Sequence, residues 1–408
     1  MSNLRPLCTR TILGIRRSAY PAISRRFYSE RVIKENDIVL LKQIHNSAST
    51  PILSSRLRAG KKIELQRDSI AHDDILGKGM RDLVSSRKRI NYRISEPTLA
   101  EYTDLSPRIV TPIYSQDANL IVSLLDLNPT VPNPKRATQD LLEIFEAGTG
   151  HGALTLNLAR AIHGANTAAP TIPEEAETVD ATPDLIERRK EIYQEWKTNR
   201  RAVIHTLDCS GRHSAHAETV VKNFRHGIYY PHIDFHVASI DEYLSSRLAE
   251  TDSAPFLDHA ILDLLDIHYY FDIVGKALKA NGTLITFCPS ITQINAGVTF
   301  VRQNGLPLFL EKVVEVGGAV GVGGREWDVR PVKPRALLKA RVEDVKLSDG
   351  LEEDLAQGSE DSSPAASPSH TPASDDSGWE MVCRPKVGLR IAGGGFVGVW
   401  RKMTDSSK

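Results

Sequence analysis

The chain offers no sulfur framework. Its four cysteines, Cys8, Cys209, Cys288 and Cys383, stand far apart, with no C-x-x-C pair and no Cys/His spacing of a metal site. A disulfide scaffold and a structural zinc site are therefore not expected, and no metal is assigned. Net charge is lacking as well: 51 Lys and Arg balance 51 Asp and Glu. No overall field points to nucleic acid, although local patches can still do so. Apolar runs stop well short of a membrane span, so no membrane partner is expected. Acidic residues are absent from the first 29 positions, where Arg5, Arg10, Arg16, Arg17, Arg25 and Arg26 recur among Ser, Thr and small apolar residues. Residues 1–29 read as a mitochondrial transit peptide that ends near Tyr28 or Ser29 in "RRFYSE", and a matrix protein is expected. A basic tail that binds RNA is the other reading of that composition.

What is there is enough for two or three domains: 408 residues, 41% of them apolar. Residues 30–105 alternate short apolar runs ("DIVLLKQ", "KKIELQ", "RINYRISEP") with polar breaks and read as a small β-rich domain. That domain carries a basic cluster, "SSRKRINYR", with Tyr92 set among Arg87, Lys88, Arg89 and Arg93. The cluster is either a solvated face or an RNA contact.

Residues 106–342 change to alternating helix and strand patterns. "DANLIVSLLDL" and "ALTLNLARAI" read as helices, while "LLEIFEAG", "AVIHTLD", "DFHVAS", "HAILDLL" and "GTLITFCP" read as buried strands. The fold class expected is α/β, a doubly wound, Rossmann-like sheet. A charged insertion at 165–199 interrupts it. Residues 343–378 are acidic, Ser/Pro-rich and expected to be disordered, before two closing strands in 379–408 ("WEMVCRP" and "GGGFVGVWRK").

The stretch "EIFEAGTGHGALTLNLARAI" packs Gly148, Gly150 and Gly152 between a strand and a helix. Such a turn lets the backbone approach a ligand closely, at the strand end where an open α/β sheet binds nucleotide-like cofactors. The spacing is not G-x-G-x-x-G, and no G-K-[ST] follows, so an NAD fingerprint and a P-loop both fit poorly. E-x-G-x-G-x-G instead resembles the first motif of S-adenosylmethionine (SAM) methyltransferases. Its companion is an acid at the end of the next strand, for the ribose hydroxyls. Asp208 in "VIHTLDCSGRH" takes that place once the insertion at 165–199 is set aside.

Taken together, "EPTLAEYTDLSPRIVTPIYSQDANLIVSLLDL", "EAGTGHGALTLNLARAI", "NGTLITFCPSITQI" and "VEVGGAVGVGGREWDVRPVKPR" are similar to the catalytic subunit of the tRNA (adenine(58)-N(1))-methyltransferase family, which forms 1-methyladenosine in the T loop. The resemblance implies SAM as cofactor, held by Gly148, Thr149, Gly150, His151, Gly152 and Ala153, with Asp208 and His213 around the ribose and Ile240 and Asp241 beside the adenine. It implies that Asp263 in "ILDLLD" lies at the methyl-transfer site, in reach of cofactor and substrate, and that Tyr114 in "PIYSQDA" lies near the target base. It also implies a tetramer, of identical chains or with a noncatalytic relative.

Two segments depart from the family pattern. "DLLDIHYY" stands where D-L-P-x-P-W is common, and "AGGGF" puts Gly393 where a histidine is usual. Both lie on the substrate side. A noncatalytic SAM-binding subunit and a methyltransferase acting on mitochondrial rRNA therefore remain beside the tRNA reading. Adenine N1 carries its own lone pair, so methyl transfer to it needs alignment more than a strong base. Asp263 would accept from the N6 amine and Tyr114 would stack on an extruded base. "GGREWDVRPVKPR" reads as a basic loop with a structural or interface role.

Overall fold

The structure, a computed structural model, describes residues 31–44, 46, 49–130, 141–170, 183–317, 327–332, 380–385 and 394–404. The expected transit peptide and the acidic segment 343–378 lie outside the described residues, as does Gly393. The chain divides into two compact units, Met1–Thr98 and Leu99–Lys408.

In the first unit, strands β1 (Leu40–Gln43), β2 (Ile52–Leu53), β5 (Leu83–Ser85) and β6 (Asn91–Ser95) form an antiparallel sheet in the order β2-β1-β6-β5, and β3 (Lys62–Leu65) and β4 (Asp68–Ala71) form a hairpin. β6 shows why these short runs make strands: Tyr92 and Ile94 are buried while Arg93 points out, the alternation that a one-sided sheet requires. Their core partners include Val39, Leu41, Leu57, Ile70 and Val84. A β-rich N-terminal unit is thus present.

The second unit opens with helices α1 (Leu99–Leu105) and α2 (Ser115–Leu125). Residues 99–105, grouped by sequence with the β-rich domain, therefore belong to this unit. It continues with β7 (Leu142–Ala147), α3 (Ala153–Ile162), α4 (Pro183–Thr198), β8 (Ala202–Asp208), α5 (Gly211–Asn223), β9 (Ile233–Val237), α6 (Ile240–Glu250), β10 (Leu257–Leu262), α7 (Phe271–Ala277), β11 (Leu278–Cys288), α8 (Ile291–Gln303), β12 (Leu308–Gly317), β13 (Trp327–Val332), β14 (Glu380–Pro385) and β15 (Gly394–Lys402).

Seven of these strands form one sheet in the order β12-β15-β11-β10-β7-β8-β9. β7 to β11 run parallel, β15 is added antiparallel to β11, and β12 pairs antiparallel with β15. From β7 the chain moves outward to β8 and β9, then returns to the other side of β7 for β10 and β11. The reversal lies between β7 and β10, where an open sheet leaves a crevice at its carboxyl edge. Both faces are covered. Phe145, Leu207, Leu262, Phe271, Leu284 and Trp400 belong to one buried cluster, with the Trp400 indole donating to the Thr286 hydroxyl at 3.1 Å.

Two details differ from the sequence reading. Trp327–Val332, read as part of a basic loop, is a strand, and β14 pairs with it antiparallel instead of closing the main sheet. Only β15 of the two closing strands joins that sheet. The helical end of the 165–199 insertion is α4. Its Trp196 indole donates to Thr167 at 3.0 Å and its ring lies 5.9 Å from that of His232. Thr167 follows α3 and His232 precedes β9, so α4 sits at the end of the sheet opposite the glycine loop.

Candidate active site

β7 is buried along nearly its whole length, and the chain leaves it through Gly148, Thr149, Gly150, His151 and Gly152 into α3. α3 buries eight of its ten residues, as a helix packed on several sides must. Its amino end has no side-chain cap, because Gly152 occupies the cap position at φ 80°. The first-turn amides of α3 are left facing the crevice, a setting that favours negative or electron-rich ligand groups. A side chain at Gly152 would also meet Ala217 of α5 at 3.2 Å, so the glycine permits α3 and α5 to approach.

Asp208 ends β8 and turns back to the loop. One of its carboxylate oxygens accepts from the Gly150 amide at 3.1 Å, the other from the Ser210 amide at 2.9 Å. The His213 ring lies 3.6 Å from that carboxylate. Asp263 follows β10 immediately across the reversal point, and its amide donates to the Ala147 carbonyl at 2.9 Å. The structure therefore brings the glycine loop, Asp208, His213 and Asp263 to one carboxyl edge, on three adjacent strands.

Ile240 and Asp241 start α6 after β9, one strand further out. Ile240 is buried in the core and Asp241 is exposed, the helix being closed by a capping box of Ser239 and Glu242. Tyr114 caps α2 and accepts a hydrogen bond from Arg108 at 3.1 Å. It is joined to the site through its segment: Val110 stands 3.4 Å from the position a Gly150 side chain would take.

His151 is buried, and its ring is hydrogen-bonded to His216 of α5 at 3.2 Å. Burial, with the neighbouring His216, pushes it down to about 4, so it is neutral at physiological pH. His216 was not singled out from the sequence. With Ala217 it ties α5 to the loop.

The electrostatics of the edge are set by two further facts. Desolvation raises Asp263 to about 6. Glu146, the first residue of the glycine motif, is fully buried and raised to about 7, by burial first and also by the charges of Asp263 and Asp208. Its carboxyl accepts from Thr155 at 2.6 Å and from Thr206 at 2.8 Å, and Thr206 is joined to Thr149 at 2.7 Å. Glu146 thus links the loop to α3 and β8. The motif alone assigns Glu146 no role, because its burial comes from elements that pack on β7 from elsewhere in the chain.

The folded chain holds the Glu146 proton more tightly than the unfolded chain, whose value is 4.5. The contribution is complete below 4.5 and is lost as pH rises through about 7, amounting to about 3 kcal/mol. Glu146→Gln can still accept from both threonines. Its urea midpoint is expected to exceed that of the wild type at pH 8 and to approach it near pH 4.5. Equal midpoints across that range would mean that Glu146 is not buried as described.

No family model matches the chain. Among curated proteins, a tRNA (adenine(58)-N(1))-methyltransferase, TrmI of Thermus thermophilus, is 27% identical over 264 residues, covering 65% of this chain and 78% of the relative. TrmI from a second strain gives the same figures. Among solved structures, a SAM-dependent O-methyltransferase of Thermotoga maritima superposes with a TM-score of 0.55 at 15% identity, covering 92% of this chain and 97% of its own. A TrmI of Aquifex aeolicus does so with a TM-score of 0.51 at 14% identity, covering 91% and 99%. The chain has the Rossmann-like fold of these methyltransferases and is related in sequence to TrmI.

Proposed function

We propose that the chain is a SAM-dependent RNA methyltransferase that modifies N1 of adenine in the T loop of tRNA. The observation that carries the reading is the placement of Asp263. It is a carboxylate at the end of β10, held to the last residue of β7 across the reversal point from a glycine loop, in a chain similar to TrmI.

The residues fit the cofactor. The loop backbone and the first amides of α3 would hold its methionine part, and Asp208 its ribose. Each Asp208 oxygen retains acceptor capacity after its one backbone bond. When bound, SAM supplies an electrophilic methyl on a sulfonium. The chain's own work is alignment. Asp263, raised to about 6, is mostly ionised at neutral pH and can accept from the N6 amine of an adenine. A fixed carboxylate there stabilises the positive charge that the ring acquires when N1 gains the methyl. No base is required, because N1 carries no proton to lose. The base must first leave its stack, and Tyr114 is the candidate to hold it.

Asp208→Ala is expected to weaken SAM binding by about ten- to hundredfold, the scale of hydrogen bonds to a charged group. Calorimetric titration with SAM checks this; an unchanged affinity would remove Asp208 from the cofactor site.

The first unit supports an RNA substrate. Arg87, Lys88 and Arg89 are exposed on a turn held by the hydrogen bonds Arg87 N to Ser69 O at 2.9 Å, Lys88 N to Asp68 Oδ1 at 3.1 Å and Arg89 N to Ser86 O at 2.8 Å. Replacing all three by alanine is expected to raise KM for RNA and lower the salt slope of binding by about two to three, leaving SAM affinity unchanged. An unchanged salt slope would take phosphate contact away from this turn.

The mitochondrial matrix, reached through residues 1–29, is part of the same proposal, as is a tetramer of this chain alone or with a noncatalytic relative. Nucleoside mass spectrometry on mitochondrial tRNA and rRNA incubated with the purified chain and SAM tests the activity. New 1-methyladenosine in tRNA supports it, and its appearance in rRNA alone moves the substrate. Its absence from both, with SAM bound, favours the noncatalytic subunit.

A further inference from the structure

The segment between Asp263 and α7 carries side chains that the chemistry above does not use. Ile267 is buried, and Phe271, four residues on, is buried as well; together they pin the 3-10 turn Ile267–Tyr270 to the core. Asp266, at φ 51°, turns the chain outward before it. Between the anchors His268 and Tyr270 are half-buried, Tyr270 against the core, while Tyr269 is 66% exposed; Leu265, before the turn, is exposed as well.

Tyr269 is nevertheless backed. Its ring lies 4.2 Å from that of His268, and both meet Phe300 of α8 nearly edge-on, at 6.3 Å and 5.7 Å between centroids. Phe300 packs in turn against the core. An aromatic ring so exposed and so braced has little entropy left to lose on binding a flat partner.

Topology fixes where this step stands. It follows β10, which is parallel to β7 and β8, so the segment leaves the sheet at the same edge as the glycine loop and Asp208, while Phe300 braces it from the last turns of α8, which runs back from that edge. Apart from Asp263, the residues assigned to the cofactor lie on the β7 to β9 side of the reversal point. The acceptor must then enter on the β10 and β11 side, and Tyr269 stands there six residues beyond Asp263.

We propose that Tyr269, braced by His268 and Phe300, is the stacking step for an unpaired base of the RNA acceptor. The inference rests on the RNA methyltransferase reading. Every nucleobase offers a flat face and an aromatic ring accepts any of them, so the step contributes affinity and positioning, while Asp263 addresses the base to be methylated. Tyr269 is a positioning residue in this scheme. Its hydroxyl is dispensable and its ring is not.

The test uses the full chain, SAM and an unmodified tRNA transcript. Tyr269→Ala is expected to raise KM for tRNA by about tenfold or more, with SAM affinity unchanged and kcat changed less than KM. Tyr269→Phe is expected to stay within about twofold of the wild type, since it keeps the ring. A Tyr269→Ala enzyme with wild-type KM would overturn the stacking step and leave the methyltransferase reading intact. So would a change from oligomer to monomer in light scattering with no change in RNA affinity, which would make the aromatic step a subunit contact. If the wild-type chain neither methylates nor binds RNA, both readings fall together.

Discussion

Gly148→Ala is expected to slow methyl transfer by about a hundredfold or more. The residue sits at φ 97°, where an alanine is strained by about 1–2 kcal/mol, and that is the smaller part of the effect. An added Cβ would lie 2.2 Å from the Asp263 carbonyl oxygen and 3.0 Å from its carbon. Neither atom belongs to a side chain that could rotate away. The Asp263 amide is bonded to Ala147 at 2.9 Å, and the Gly148 amide to Leu207 at 2.9 Å, so the peptide unit between Ala147 and Gly148 joins the end of β7 to both of its neighbours. Relief requires the β10 end to move by about an ångström, a displacement that costs roughly a hundredfold in rate when the moved group aligns a reaction. The same shift opens the loop, so SAM affinity should fall with kcat. Single-turnover rates and calorimetric SAM titration on the folded variant measure both. Wild-type turnover would mean that the contact between loop and Asp263 is not part of the working site.

That contact illustrates what the sequence could and could not reveal. Elements built from local pattern were legible nearly to the residue: "ALTLNLARAI" is α3 and "AVIHTLD" is β8. Their periodicity reflects burial on a sheet covered on both faces. Asp208 could be placed because α4 and the loop before it carry charge and proline in place of apolar periodicity, marking them as an insertion. Trp327–Val332 was not legible as a strand, since its partner Glu380–Pro385 lies beyond a long polar segment and pairing at that distance leaves no local signature. The protonation of Glu146 was hidden for a related reason. Its desolvation arises from a following helix and a neighbouring strand packing over it, and outweighs the Thr155 and Thr206 hydrogen bonds, which act the other way. Likewise "DLLDIHYY" contains three aromatic side chains in a row, counting histidine, and only the 3-10 turn decides that Tyr269 faces solvent.

Asp263→Asn is expected to separate chemistry from cofactor binding. Asparagine keeps the size, and its backbone keeps the amide bond to Ala147, so SAM affinity should remain within about twofold. kcat should fall by about a hundred- to a thousandfold, the scale for removing one preorganised group that stabilises developing charge. The wild-type rate should rise with pH through about 6 and level off above it, as the carboxylate form is the acceptor of the N6 hydrogen bond. The variant should lack that limb.

Stability should move the other way. Because burial raises the folded value to about 6 from 3.8, the wild type gains stability that is complete below 3.8 and is lost as pH rises through about 6. Above that, an ionised Asp263 costs the fold on the order of 3 kcal/mol, and Asp263→Asn, carrying no charge to desolvate, should unfold at higher urea at pH 8. Ionised Asp263 also raises Glu146, so removing the charge should bring the Glu146 transition to lower pH. An Asn variant that kept its rate and the limb near pH 6 would show that another group titrates there. One that lost rate without gaining stability at pH 8 would show a carboxylate better solvated than its place between β7 and β10 allows.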